Sequence, residues 1–163
     1  MMKSKKVFFV TQAAMIAAVY VVLNVAFAPF GTQAIQMRIA EALTILPVFS
    51  AAAIPGLFAG CFVGNILAGC ILPDVIFGSL ATLVGAIGSY KLRKVNPFLA
   101  PIAPILANSI VVPLVLRYGY GDPLPIPYMM MTVGIGEIVS CGVFGIILYL
   151  ALKPLQTRIF GSR

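Results

Sequence analysis

The stretch VFFVTQAAMIAAVYVVLNVAFA, residues 7–28, has no charged side chain, and at the rise of an α-helix about 20 such residues cross a bilayer. A segment like this cannot sit on the surface of a soluble domain, and it is not alone. Apolar runs punctuated by Pro, Gly and charge recur at 38–53, 55–72, 75–90, 98–116 and 128–152. The layout predicts an all-α, polytopic membrane protein with six transmembrane helices in a single membrane domain, 1–163. Composition agrees, with 61% hydrophobic and 9% charged residues. The basic-then-apolar start resembles a signal peptide, but its apolar stretch is long enough to span and shows no clear cleavage site, so it is read as a helix. The second run is the weakest, because Pro47 interrupts it. Pro55 suits the first turn of the third.

Charge gives an independent test of the count. With six spans the N-terminus, the loop KLRKVNP and the C-terminus share one side of the membrane. They hold Lys3, Lys5, Lys6, Lys91, Arg93, Lys94, Lys153, Arg158 and Arg163, nine of the eleven basic residues. The positive-inside rule makes that side cytoplasmic, in the cell membrane, with both termini inside. The same rule accounts for the excess of positive charge without nucleic acid, so the lipid bilayer is the expected partner of these clusters.

All four acids, Glu41, Asp74, Asp122 and Glu137, then fall toward the outer side. Asp122, in RYGYGDPLPIP, reads as a solvated turn residue. Asp74, in LPDV, is placed to cap the fourth helix, or to serve a ligand. Glu137 lies nine residues into the sixth run, roughly 14 Å deep at 1.5 Å per residue. A carboxylate at that depth is costly unless it is paired or faces water, which makes it a candidate pocket residue. Asn65 and Asn108 bring amides to the third and fifth runs, either as glue between helices or as cavity wall. Arg38 and Glu41, three residues apart, either neutralise each other at the interface or stand at a cavity mouth above Glu137.

Several chemistries are missing. There is no histidine, and Cys61, Cys70 and Cys141 lack metal-ligand spacing, so no metal site and no cofactor are expected and the thiols read as packing residues. No Walker sequence is present, so ATP can act only through a partner. The chain offers no nucleophile arrangement and is not read as an enzyme. Small residues four apart, Ala13 with Ala17 and Ala14 with Ala18, make a smooth stripe on the first helix, and Gly56, Gly60 and Gly64 continue the pattern on the third.

The stretches QMRIAEALTILPVFSAAAIPGLFAGCFVGNILAG, DVIFGSLATLVGAIGSYKLR, APILANSIVVPLVL and VGIGEIVSCGVFG cover helices two to six. Together they resemble the QueT family, substrate-binding S components of energy-coupling factor (ECF) transporters for queuosine precursors. The resemblance implies a six-helix S-component bundle, an outward-facing pocket for a 7-deazaguanine base, and assembly with a T subunit and two ATPase subunits. It also implies that an alanine stripe on helix one, Ala14 with Ala18 or Ala13 with Ala17, docks on the T subunit. A 7-deazaguanine presents adjacent N–H donors that one carboxylate accepts together. Glu137 or Glu41 fits that role, the other meeting a cationic aminomethyl group, with Asn65 and Asn108 serving ring acceptors and Arg38 and Asp74 near the mouth. Phe30, Phe62, Phe77 and Tyr128 are candidates for stacking on the base. Two other readings stay open: an S component for another vitamin- or nucleobase-like ligand, and a small oligomeric channel or proton-coupled carrier using Glu137.

Overall fold

A computed structural model describes residues 2–28 and 37–161, with side chains from Lys5 onward. Phe30, Arg163 and the side chain of Lys3 lie outside the described residues. Every regular element among those described is helical. Helix α1 spans Met2–Ala26, and a 3-10 helix follows at Ile39–Val48. Helix α2 is Ala53–Leu67; a π-helical turn, Asp74–Gly78, leads into α3, Ser79–Leu92. Helix α4 is Ile102–Tyr118. The last long rod runs from α5, Ile126–Glu137, through a π-helical stretch, Ile138–Phe144, into α6, Gly145–Leu152, with a short α7, Gln156–Phe160, beyond.

Four of these rods are long and apolar enough to cross a membrane: Lys5–Ala26, Asp74–Leu92, Pro97–Tyr118 and Ile126–Phe160. The second and third runs of the six-helix layout give helices shorter than these. Ile39–Val48 is a 3-10 helix, about 20 Å long at about 2 Å per residue. Pro47 is one cause, since its ring would crowd the carbonyl four residues back in an α-helix. Residues Ala40 to Val48 are all buried, so the segment runs through the interior with no lipid-facing side. Helix α2 stops at Leu67, well before residue 72. Gly69 takes φ +75°, Gly69 N–H donates to Ile66 O at 3.1 Å and Cys70 N–H to Asn65 O at 3.0 Å, which is a complete Schellman terminator.

Glycine brings α1 and α2 together in parallel. A Cβ at Gly56 would lie 2.7 Å from Ala13 O, and one at Gly60 would lie 2.8 Å from Tyr20 Cβ and 3.0 Å from the Ala17 Cα. A Cβ at Gly64 would meet the Asn24 amide at 2.8 Å. The glycine stripe therefore serves internal packing. Helices α3 and α4 run antiparallel, with Gly85 against Pro104 and the Ser89 hydroxyl donating to Ala100 O at 2.9 Å.

The two ends of the bundle differ. At one end Ser50 donates to Gln12 Oε1 and Gln12 Nε2 to Ile159 O, both at 2.9 Å, while Arg93 lies 3.7 Å over the Tyr90 ring. Phe49, Tyr149 and Phe160 stack beside them. This is the end of Lys91, Arg93, Lys94, Lys153 and Arg158. The opposite end gathers the C-terminal turns of α1, α2 and α4 with the start of α3.

Candidate ligand-binding site

At that opposite end lies a cavity of about 300 Å³. Leu23, Phe27, Ile39, Val112, Val115 and Leu116 give it apolar walls; Asn24, Arg38, Asn65, Asp74, Tyr120 and Asp122 give it polar ones. The mix is that of a small-molecule site, mostly apolar with a few convergent polar groups.

Asp74 ties the mouth together. Its Oδ2 accepts from Arg38 Nη2 at 3.3 Å and from the Tyr120 hydroxyl at 3.1 Å, so one carboxylate oxygen joins three separate segments. The Tyr120 hydroxyl in turn accepts from Ile71 N–H at 3.4 Å. Burial and the adjacent Asp74 carboxylate push the Tyr120 phenol up from its ordinary value, so it remains a donor. Asp74 Oδ1 is buried and has no hydrogen-bond partner. Gly78 makes room for it, since a Cβ there would come within 3.0 Å of that oxygen and 3.3 Å of Asn65 Nδ2. Asn65 is held from two sides: its Oδ1 accepts from Asn24 Nδ2 at 3.0 Å, and its Nδ2 reaches Asp74 O at 3.4 Å.

A second polar layer lies deeper. Glu41 is one 3-10 turn inside Arg38, about 6 Å further along the axis. Its Oε1 accepts from the Tyr20 hydroxyl and, at 3.2 Å, from Thr82. Thr44 Oγ1 donates to Glu41 O at 2.6 Å, spending the threonine on the local backbone. Across from Glu41, Glu137 closes α5 where the π-helical stretch begins, and Cys141 one turn on donates to Glu137 Oε2 at 3.1 Å. One side-chain donor atom from each of Glu41, Glu137 and Cys141 lies within 4.8 Å of the others, and all three residues are buried. This is the group among the described residues whose spacing would admit a cation. Two full charges that close would repel by about 3.5 kcal/mol at an effective dielectric constant of about 20.

The model of the QueT transporter family matches residues 10–154. The chain belongs to the QueT transporter family. The match includes every residue of both polar layers, and it makes the chain a membrane transport protein and not an enzyme. Comparison with curated proteins and with solved structures gave no match.

In this QueT transporter the six candidate residues sort by depth. Arg38, Asn65 and Asp74 line the cavity; Glu41, Glu137 and Asn108 are buried and outside its lining. At two residues one of the two alternatives falls. Arg38 pairs with Asp74 and not with Glu41, and Asp74 lies within a helical run whose N-cap is Pro73, so its side chain makes no cap hydrogen bond. Asp122 keeps a turn role, its Oδ1 accepting from Leu124 N–H at 3.0 Å, while also standing at the cavity rim. Phe62, Phe77 and Tyr128 are exposed and do not line the cavity; Phe27 and Tyr120 do.

Sequence reasoning passed over Tyr20, Asn24, Thr82 and Tyr120. The first three had a usable signal: each is a hydrogen-bonding side chain in the middle of an apolar helix, where it needs a partner. The alanine stripe also divides. Ala13 and Ala17 are taken up by Gly56 and Gly60, whereas Ala14 and Ala18 are exposed.

Proposed function

We propose that this chain is the S component of an ECF-type transporter and that the cavity at the end away from the basic clusters holds a queuosine precursor, a 7-deazaguanine base. Family membership supports the transport role, and the observation that carries the ligand reading is Asp74 Oδ1, a buried acceptor in a cavity wall with nothing donating to it. A purine-like ring with adjacent N–H donors supplies what that oxygen lacks. The Asn24 amide, held in place by Asn65, then turns its second N–H to a ring acceptor, and the apolar walls with Phe27 cover the ring faces. Glu41, Glu137 and Asn108 form the floor beneath.

On this reading the chain is one membrane domain that crosses six times, Ile39–Val48 as a buried inner pass and Ala53–Leu67 as a short pass that turns Phe62, Val63, Ile66 and Leu67 outward. Both termini are cytoplasmic and the cavity opens outward. Energy comes from two ATPase subunits through a T subunit, which the exposed Ala14 and Ala18 face of α1 contacts. The test is calorimetric titration of the purified, nucleotide-free chain with the nitrile base, the aminomethyl base, queuine and guanine. Saturable binding of a 7-deazaguanine supports the reading, and tight binding of an unrelated vitamin with none of these bases contradicts it.

A further inference from the structure

Arg38 and Asp74 are largely withdrawn from water, yet they meet through a single contact, Nη2 to Oδ2 at 3.3 Å. A guanidinium in such a place commonly takes a carboxylate through two parallel N–H bonds of about 2.7–2.9 Å. Here the second oxygen is left open on the same side. Arg38 Nη1 and Asp74 Oδ1 both lie over Gly78, 3.9 and 3.0 Å from where its Cβ would stand. Oδ1 is buried and accepts from nothing.

Tyr120 accounts for the half-made pair. Its hydroxyl donates to Oδ2 at 3.1 Å, and turning the carboxylate to meet the guanidinium with both oxygens would break that bond. The phenol is firmly mounted. Gly119 and Tyr120 N–H both donate to Val115 O, at 2.7 and 3.2 Å, Asp122 N–H donates to Leu116 O at 3.1 Å, and Arg117 Nη1 donates to Asp122 O at 2.9 Å. The loop that carries Tyr120 is therefore bonded back onto the end of α4. Gly119 lets it sit close to the α2–α3 turn, since a Cβ there would lie 2.9 Å from Ile71 Cδ1, and Ile71 N–H donates to the phenol oxygen from that side. The Cys70 thiol beside Asp74 is a weak donor and does not compete with these groups.

We propose that Tyr120 is a positioning residue for ligand recognition: it keeps the Arg38–Asp74 pair from closing into a two-bond fork, and so keeps Asp74 Oδ1 vacant for the N–H donors of the ligand. This rests on the base-binding reading above and deepens it. Removing the hydroxyl has two opposed effects. The carboxylate loses a donor and becomes a stronger acceptor, which favours the ligand; it also becomes free to turn onto Arg38, which fills Oδ1. A second charge-assisted bond outweighs the polarisation from one neutral donor, so the closed fork wins and the ligand is shut out.

The experiment takes wild type, Tyr120→Phe, Arg38→Lys and the double variant as purified chains, titrates each with the nitrile and aminomethyl bases, and unfolds each thermally without ligand. Lysine is a point charge and cannot make the fork. Tyr120→Phe is expected to bind about fivefold more weakly than wild type, or worse, while unfolding at no lower temperature. In the Arg38→Lys background the same substitution should change affinity little. Wild-type affinity in Tyr120→Phe overturns the inference, and so does an undiminished loss in the Arg38→Lys background. A loss of affinity that comes with a lower unfolding temperature marks a merely structural role and overturns it too. If no 7-deazaguanine binds wild type, the base-binding reading falls, and unfolding alone decides whether Tyr120 holds the fork open. Arg38→Lys must then cost more stability in Tyr120→Phe than in wild type, and an equal cost overturns the inference.

Discussion

Arg38 reaches past Glu41, three residues away in sequence, to pair with Asp74, 36 residues away, at 3.3 Å. The pair fastens the entry to the buried 3-10 helix onto the start of α3, and Tyr120 adds the α4–α5 loop to the same carboxylate oxygen. With side chains 15% and 7% exposed, the partners are largely withdrawn from water. Removing Arg38 alone leaves Asp74 uncompensated. Arg38→Ala is expected to cost about 3 kcal/mol, at the lower end for a buried pair because Arg38 keeps some exposure. A double-mutant cycle with Asp74→Ala, followed by unfolding in detergent, should recover part of that loss; strictly additive effects would show that the two groups are not coupled.

Close approach of α1 and α2 depends on the absence of a side chain at Gly60. Gly60→Ala places a methyl 2.8 Å from Tyr20 Cβ and 3.0 Å from the Ala17 backbone, so the helices must separate, at a cost of about 1–3 kcal/mol. Gly142→Ala is the matched control, since a Cβ there meets nothing nearer than 3.9 Å. Thermal unfolding of the two variants should differ clearly. Equal stability would mean that the α1–α2 contact gives way easily.

The alanines of α1 separate packing from docking. Ala13→Trp and Ala17→Trp should disrupt the chain itself, because these positions lie against Gly56 and Gly60. Ala14→Trp and Ala18→Trp point away from that contact and should leave ligand affinity of the isolated chain nearly unchanged while abolishing ATP-driven uptake in vesicles that carry the T and ATPase subunits. Uptake at the wild-type rate in the second pair would reject α1 as the docking helix.

How far the sequence reaches can be seen at particular residues. The rods Asp74–Leu92, Pro97–Tyr118 and Ile126–Phe160 are legible because apolar length and flanking charge are local properties. The 3-10 form of Ile39–Val48 is not, since residues buried on every side carry no periodic signal and Pro47 marks only a disturbance. The π-helical stretches next to Asp74 and Glu137 are equally silent in composition. Polar residues in apolar runs marked Asn65, Asn108, Glu41 and Glu137 as site candidates, but which of them meet is decided by long-range packing. For that reason neither the Arg38–Asp74 pair nor the Tyr20–Glu41 contact was foreseen.

Acids at the two depths should respond differently. Asp122→Asn keeps the side-chain oxygen that accepts from Leu124 N–H and sits at a wet rim, so it should weaken ligand binding little. Glu137→Gln replaces a buried carboxyl of the floor and should weaken ligand binding at least about tenfold, the scale of a lost hydrogen bond to a carboxylate. Titration of both variants checks the order; a larger loss at Asp122 would move the recognition site to the rim.

The most direct test is titration of a 7-deazaguanine base into the purified, nucleotide-free chain, wild type against Asp74→Asn. Substitution at Asp74 turns one oxygen of the cavity carboxylate into an N–H donor facing the ring donors, and a charged hydrogen bond of about 1.5–3 kcal/mol is lost. The predicted result is saturable binding by wild type, one ligand per chain, and at least about tenfold weaker binding by the variant, titrated at a temperature where circular dichroism shows it folded. Wild-type affinity retained in folded Asp74→Asn would contradict the placement of the ligand in this cavity.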